Sequence, residues 1–241
     1  MTTLGMWPDS LHQFQPFSLT HLAIVVGLTI FWAVVVGLGV RWRGTQKLSW
    51  FERGFALFYL LQWLGFHGWW LLPGNFNVAG SLPLHICDIV ALLMPFALVW
   101  RSRFLVAILY FWGIGLSLQG IITPDLGSGP LTVIFWIFWL HHTAIVGTAV
   151  YMLVVHRFRP RWKDLYWSVV AGLAYVAVVF PIDAAFGFNY GYLGERNPSQ
   201  PTLIDVMGPW PWRVGVMAGL AGIVMGLLLL PWEVVRWWRH R

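Results

Sequence analysis

The chain has one cysteine, Cys87, in the run Ser81-Leu-Pro-Leu-His-Ile-Cys-Asp88. A thiol attacks an ester carbon once an imidazole takes its proton and a third group orients that imidazole. Both partner types are present. His85 and Asp88 flank the cysteine, His141 and His142 form a pair, and Asp183 is a carboxylate with no basic residue near it in sequence. His85 and Cys87 are two residues apart, about 200° around a regular helix, so they need not face one another. The base is better supplied by another element, such as His142 (or His141). Asp88, three residues from His85, is placed to orient it, and Asp183 can orient a histidine on a neighbouring helix. His21, His67, Gln119, Asn189 and Tyr190 complete a candidate substrate pocket.

These residues sit in a very apolar chain. Of 241 residues, 59% are hydrophobic and 10% charged, with a formal net charge of +6. Soluble domains carry about 25% charged residues. Disorder needs high charge and low hydrophobicity, and a disulfide scaffold needs more than one cysteine. An apolar run of about 18 or more residues is long enough to cross a bilayer as a helix. Seven such runs are found, at about 20–40, 54–72, 83–100, 104–122, 131–155, 165–187 and 212–235. The expectation is an all-α, polytopic membrane bundle of seven transmembrane helices, one domain over 1–241. Helix one has no basic segment or small-residue cleavage site before it, so it is expected to be retained.

The basic residues orient the bundle. Arg41, Arg43, Lys47 and Arg53 lie between runs one and two; Arg101 and Arg103 between three and four. Arg157, Arg159, Arg161 and Lys163 lie between five and six, and Arg236, Arg239 and Arg241 form the tail. The other connections hold only Arg196 and Arg213. Positive residues mark the cytoplasmic side, which puts the N-terminus outside and the C-terminus in the cytoplasm, in the plasma membrane. The net charge is then a topology signal, and it implies no nucleic-acid partner. In this orientation His21, His67, His85, Cys87, Asp88, Gln119, His141, His142, Asp183, Asn189 and Tyr190 share the outer half, and Gln62 lies nearer mid-membrane. A single pocket facing the extracytoplasmic side is expected.

Plainer roles exist for each residue. A histidine in a bundle can be an interhelical hydrogen-bond contact, which suits His21 and His67, and Gln62 and Gln119 suit packing contacts. A buried cysteine can be a small apolar filler. Locally, Ser81 suits an N-cap and Pro83 the first turn of helix three. Pro181 is expected to kink helix six before Asp183. Trp69–Trp70 and Trp237–Trp238 suit interfacial anchors, and the segment 189–212 can cover the pocket mouth.

Four blocks carry a family likeness. They are Phe17-Ser-Leu-Thr-His-Leu22, Leu82-Pro-Leu-His-Ile-Cys-Asp88, Leu140-His-His142, and Asn189-Tyr-Gly-Tyr-Leu193 followed by Thr202-Leu-Ile-Asp-Val-Met-Gly-Pro-Trp-Pro-Trp212. On these the sequence resembles the bacterial YwaF-type integral membrane proteins, related to the eukaryotic transmembrane protein 164 acyltransferases. The resemblance implies a bundle of six or seven helices and acyl transfer between lipids through a cysteine, for which Cys87 is the matching position. The more distant androgen-induced lipid hydrolases look similar in layout, and their histidine looks most like His142.

Three functions fit. The first is an intramembrane acyltransferase or lipid esterase with Cys87 as nucleophile, no cofactor, and membrane lipids as partners. The second is a zinc-dependent membrane hydrolase drawing on His21, His67, His85 and His142 with Asp88 or Asp183. It resembles the seven-helix ceramidase-like hydrolases, although run seven here lacks their histidine pair. The third is a proton-coupled transporter or binding protein. Against it, the polar residues stop at mid-depth and no inverted repeat is visible.

Overall fold

In a computed structural model, residues 13–195 and 203–239 are described. Asp9, Arg196, Thr202 and Arg241 lie outside them. The described chain is helical, with an isolated antiparallel bridge between Gln13 and Ser128. The main helices are α1 (Leu19–Arg41), α2 (Gln46–Trp70), α3 (Ile86–Trp100), α4 (Arg103–Ile122), α5 (Val133–Val154), α6 (Trp162–Phe186) and α7 (Trp212–Arg239). They follow the seven apolar runs in order. Five of them, α1 and α4 to α7, are long and apolar enough to cross a membrane.

The other two differ from expectation for local reasons. α2 begins eight residues before the apolar run, because Gln46–Arg53 adds two polar turns to its basic end. α3 has only 15 residues. Ser81 and Pro83 do not open it. The Ser81 hydroxyl accepts from the Asn77 N–H at 2.9 Å, inside the preceding turn, and the N-cap is His85. Cys87 and Asp88 therefore sit in the first turn. α6 continues through Pro181 as one helix.

α4 holds the centre. Its middle, Leu109–Ser117, is a π-helix between α-helical ends, closed by Leu118 N–H donating to the Gly113 carbonyl at 3.1 Å. Long π segments are rare and cluster at functional sites. Two side chains of this stretch hold neighbouring backbones. Tyr110 Oη donates to Leu228 O of α7 at 2.8 Å, and Trp112 Nε1 donates to Ser168 O of α6 at 3.1 Å.

α1 and α5 meet through two reciprocal notches. Trp32 of α1 fills the space over Gly147 of α5, and Tyr151 of α5 fills the space over Gly39 of α1. Small residues at such crossings let helices pack closely where lipid offers no hydrophobic drive.

The basic end is fastened by carboxylates. Buried Glu52 of α2 takes Arg101 Nη2 at 2.6 Å, His156 Nε2 at 2.6 Å and Tyr151 Oη at 2.9 Å. Buried Asp164 of α6 takes Arg103 Nε at 2.8 Å and Nη2 at 2.6 Å, plus the Arg161 N–H at 2.7 Å. Charges removed from water need such full partnering.

The Gly147 notch is the tightest test of the packing. A Cβ there would stand 2.0 Å from the Trp32 ring. Gly147→Ala should cost about 1–3 kcal/mol through overpacking, read as a lower thermal midpoint in detergent; an unchanged midpoint would contradict the α1–α5 crossing.

Candidate functional site

The expected polar residues gather at the opposite end of the bundle, around Asp88. Asp88 lies in the first turn of α3. Its Oδ1 is 3.7 Å from His67 Nε2 of α2 and 3.8 Å from His141 Nε2 of α5. These are electrostatic contacts, longer than hydrogen bonds. Both imidazoles are buried. His141 Nε2 also donates to the Cys87 carbonyl oxygen at 3.2 Å. Trp63, one turn before His67, stacks on it with centroids 4.3 Å apart and donates its indole N–H to the Asp88 carbonyl at 2.9 Å. Three helices thus converge on residues 87 and 88. Cys87 is partly buried and packs against the main core.

The two adjacent histidines part company. His141 faces α3. His142 turns toward α4: its Nδ1 donates to the Phe138 carbonyl at 2.9 Å, its ring stacks on Phe138, and it covers Gly120. His85 is not oriented by Asp88. Its Nδ1 accepts the Gly191 N–H at 3.2 Å, and its ring packs edge-on to Tyr190.

The remaining expected residues are mostly braces. His21 Nδ1 accepts from Phe17 N at 2.9 Å while Nε2 donates to Ile121 O at 2.9 Å, which defines a neutral tautomer tying α1 to α4. Asn189 Oδ1 accepts from Gly194 N at 3.1 Å. Gln119 bonds locally to Thr123. Among the described residues no histidine pairs with buried Asp183. Neither of its oxygens has a hydrogen-bond partner of ordinary geometry among the described residues, and the Tyr190 backbone lies alongside. His21, His67, His85 and His142 point to four different surroundings, and among the described residues no set of three His, Cys, Asp or Glu is arranged to hold a metal ion.

A short strap closes this end. The helical turn Tyr190–Tyr192 follows α6. Tyr190 Oη donates to Val78 O and accepts from Leu82 N at 3.2 Å, fixing the turn before α3. Tyr175 Oη of α6 donates to Leu84 O at 2.7 Å. Gly191, at φ +61°, passes so close to that hydroxyl that a Cβ would stand 2.2 Å from it. Tyr192 donates to Asp125 at 3.4 Å. Burial, and then the Asp125 carboxylate, push the Tyr192 phenol above its ordinary range, so it keeps the proton it donates. Tyr175 and Trp63 escaped the sequence reading. Trp63 had a signal: Tyr59, Trp63 and His67 recur every four residues, one stripe of α2.

The model of the TMEM164 family matches residues 16–229, from before α1 into α7. The chain belongs to the TMEM164 family. No curated protein and no solved structure gives a match. The family match covers the Cys87 turn, the His141–His142 pair and the Tyr190 strap.

The strap makes a stability prediction. Tyr190→Phe strands Leu82 N–H and Val78 O, and should cost about 1–3 kcal/mol. Faster proteolysis between residues 72 and 85 would report it; wild-type resistance would contradict the clamp.

Proposed function

We propose that this member of the TMEM164 family is an intramembrane acyl-lipid enzyme, an acyltransferase or lipid esterase of the bacterial YwaF-type group, with Cys87 as nucleophile. The observation that carries the reading is the meeting of His141, Asp88 and the Cys87 peptide at one largely buried point. In the proposed reaction, Cys87 Sγ attacks the ester carbonyl carbon of a lipid and its proton passes to an imidazole. The carbon–oxygen bond then breaks, and the leaving alkoxide takes that proton to become a lysolipid alcohol. The acyl thioester is next attacked by water or a second lipid hydroxyl, whose proton passes to the imidazole; the carbon–sulfur bond breaks, the Cys87 thiolate takes that proton back, and the product is a fatty acid or an acylated lipid. His141 is the preferred imidazole: its Nε2–H is engaged by the Cys87 carbonyl beside Asp88, which leaves Nδ1 to take the thiol proton. Asp88 orients it, and His67 fixes Asp88 from the other side. The α3 N-terminus adds its dipole at Cys87, which favours negative charge there. No cofactor is needed for these steps.

The same reading takes all seven helices as membrane spans, with the N-terminus outside, the C-terminus cytoplasmic, and the site in the outer half of the plasma membrane. The grouping of Arg101, Arg103, Arg157 and Arg159 at one end and of Cys87, Asp88 and His141 at the other supports it. A cysteine introduced at Lys163 in a Cys87→Ala background should react with an impermeant maleimide only after the cytoplasmic face is exposed; labelling on intact cells would reverse the orientation.

The chemical test is lipid turnover by the purified protein, followed by mass spectrometry. Cys87→Ala should abolish it. His141→Ala should lower it by about 10²–10⁴-fold, the usual weight of a general base, with His142→Ala well above that level. Full turnover in Cys87→Ala would overturn the cysteine mechanism.

A further inference from the structure

The basic end carries more positive charge than the fold consumes. Its described carboxylates are all engaged: Glu52 by Arg101 and His156, Asp164 by Arg103, and Glu233 by Arg236. Arg43 is spent on backbone, donating from Nε to Val155 O at 2.9 Å and from Nη2 to Val154 O. That pair of bonds has a geometric consequence. It lashes the α1–α2 turn to the end of α5, setting residue 43 beside residues 154 and 155. Three exposed cations flank that junction, namely Arg41, Lys47 and Arg157. None has a hydrogen bond or ion pair among the described residues.

Arg157 adds an independent observation. It follows α5 with φ +54°, in the left-handed region. The next N–H, of Phe158, reaches back to Met152 O at 3.0 Å, a closure that places Arg157 where helices prefer glycine. Arg101 has the same unfavourable backbone, φ 52°, but its guanidinium holds Glu52. Arg157 has the strain without a protein partner. Strained side chains of this kind mark functional positions.

The neighbours indicate what the cations meet. Trp50, Trp162 and Tyr166 are each more than 60% exposed on the same end, and exposed Trp and Tyr at helix ends sit at headgroup level. A guanidinium or ammonium at that level faces phosphate oxygens, which arginine binds in bidentate fashion, and an anionic leaflet draws each basic residue toward it.

We propose that Arg41, Lys47 and Arg157 form a binding site for the headgroup of an anionic phospholipid of the adjoining leaflet. The site is separate from the Cys87 region and stands whether or not the acyl chemistry does. The three residues flank the junction of the α1–α2 turn with the end of α5 that Arg43 ties, so one headgroup can bridge it.

The test uses the full chain in nanodiscs of phosphatidylcholine mixed equally with phosphatidylglycerol, extracted and read by native mass spectrometry. The wild type should retain phosphatidylglycerol over phosphatidylcholine by about tenfold, with the preference falling as salt rises. The variant R41Q/K47Q/R157Q should lose the preference while keeping its helical circular dichroism. Arg157→Gly separates binding from folding, since glycine relieves the backbone. Its thermal midpoint in neutral detergent should hold or rise while its phosphatidylglycerol retention falls. Equal retention of the two lipids by the wild type would overturn the proposal, as would an unchanged preference in either variant. Displacement of phosphatidylglycerol by inorganic phosphate alone would also overturn it, by showing a free-anion site.

Discussion

At one end of this bundle the polar groups of three helices gather around a single carboxylate. Asp88 has 14% of its side chain exposed and lies between two buried imidazoles, from α2 and α5. Taking a carboxylate out of water is costly, and His67, His141 and Trp63 are the polar side chains set beside it. Whatever Cys87 does, it does beside that carboxylate, because it precedes Asp88 by one residue on a helix whose first turn is pinned. Tyr175 and Tyr190 pin the chain before that turn, and His141 and Trp63 hold the carbonyls of residues 87 and 88.

The rest of the fold supplies rigidity from elsewhere. The basic end is tied by Glu52 and Asp164, each shared among several elements. The middle is tied by size complementarity, with Trp32 and Tyr151 set in glycine notches and the π-helix of α4 reaching α6 and α7 through Trp112 and Tyr110. Polar clusters lie at the two ends, and the largest fully buried side chains between them are mainly apolar, Phe111, Ile108, Leu109 and Ile145 among them. That division favours a site reached from one face over a path through the bundle.

Much of the architecture was legible because composition dictates it. A run of apolar residues long enough to cross a bilayer has few alternatives to a helix, and basic residues on alternate connections divide one end from the other. What escaped was set by distant contacts. The start of α3 is decided by the Asn77 amide, which takes the Ser81 hydroxyl, so a serine with the right local pattern caps nothing. His141 and His142 differ by about 100° around one helix; the sequence points first to His142 as base, whereas the imidazole bonded to the Cys87 carbonyl is that of His141. Phe138, four residues before His142, accepts that histidine's Nδ1–H. Asp183 lies beside the Tyr190 backbone. The π-helix was hidden, because the almost wholly apolar run Leu109–Ser117 carries no period to read.

For Cys87 as proposed nucleophile, working through the imidazole at Asp88, the most direct measurement is the intact mass of the protein quenched in acid during reaction with a phospholipid. A fatty-acyl increment on Cys87 that hydroxylamine removes is expected, strongly reduced in Asp88→Asn and His141→Ala. An acyl increment on another residue, or an equal yield of the Cys87 adduct in both variants, would contradict it.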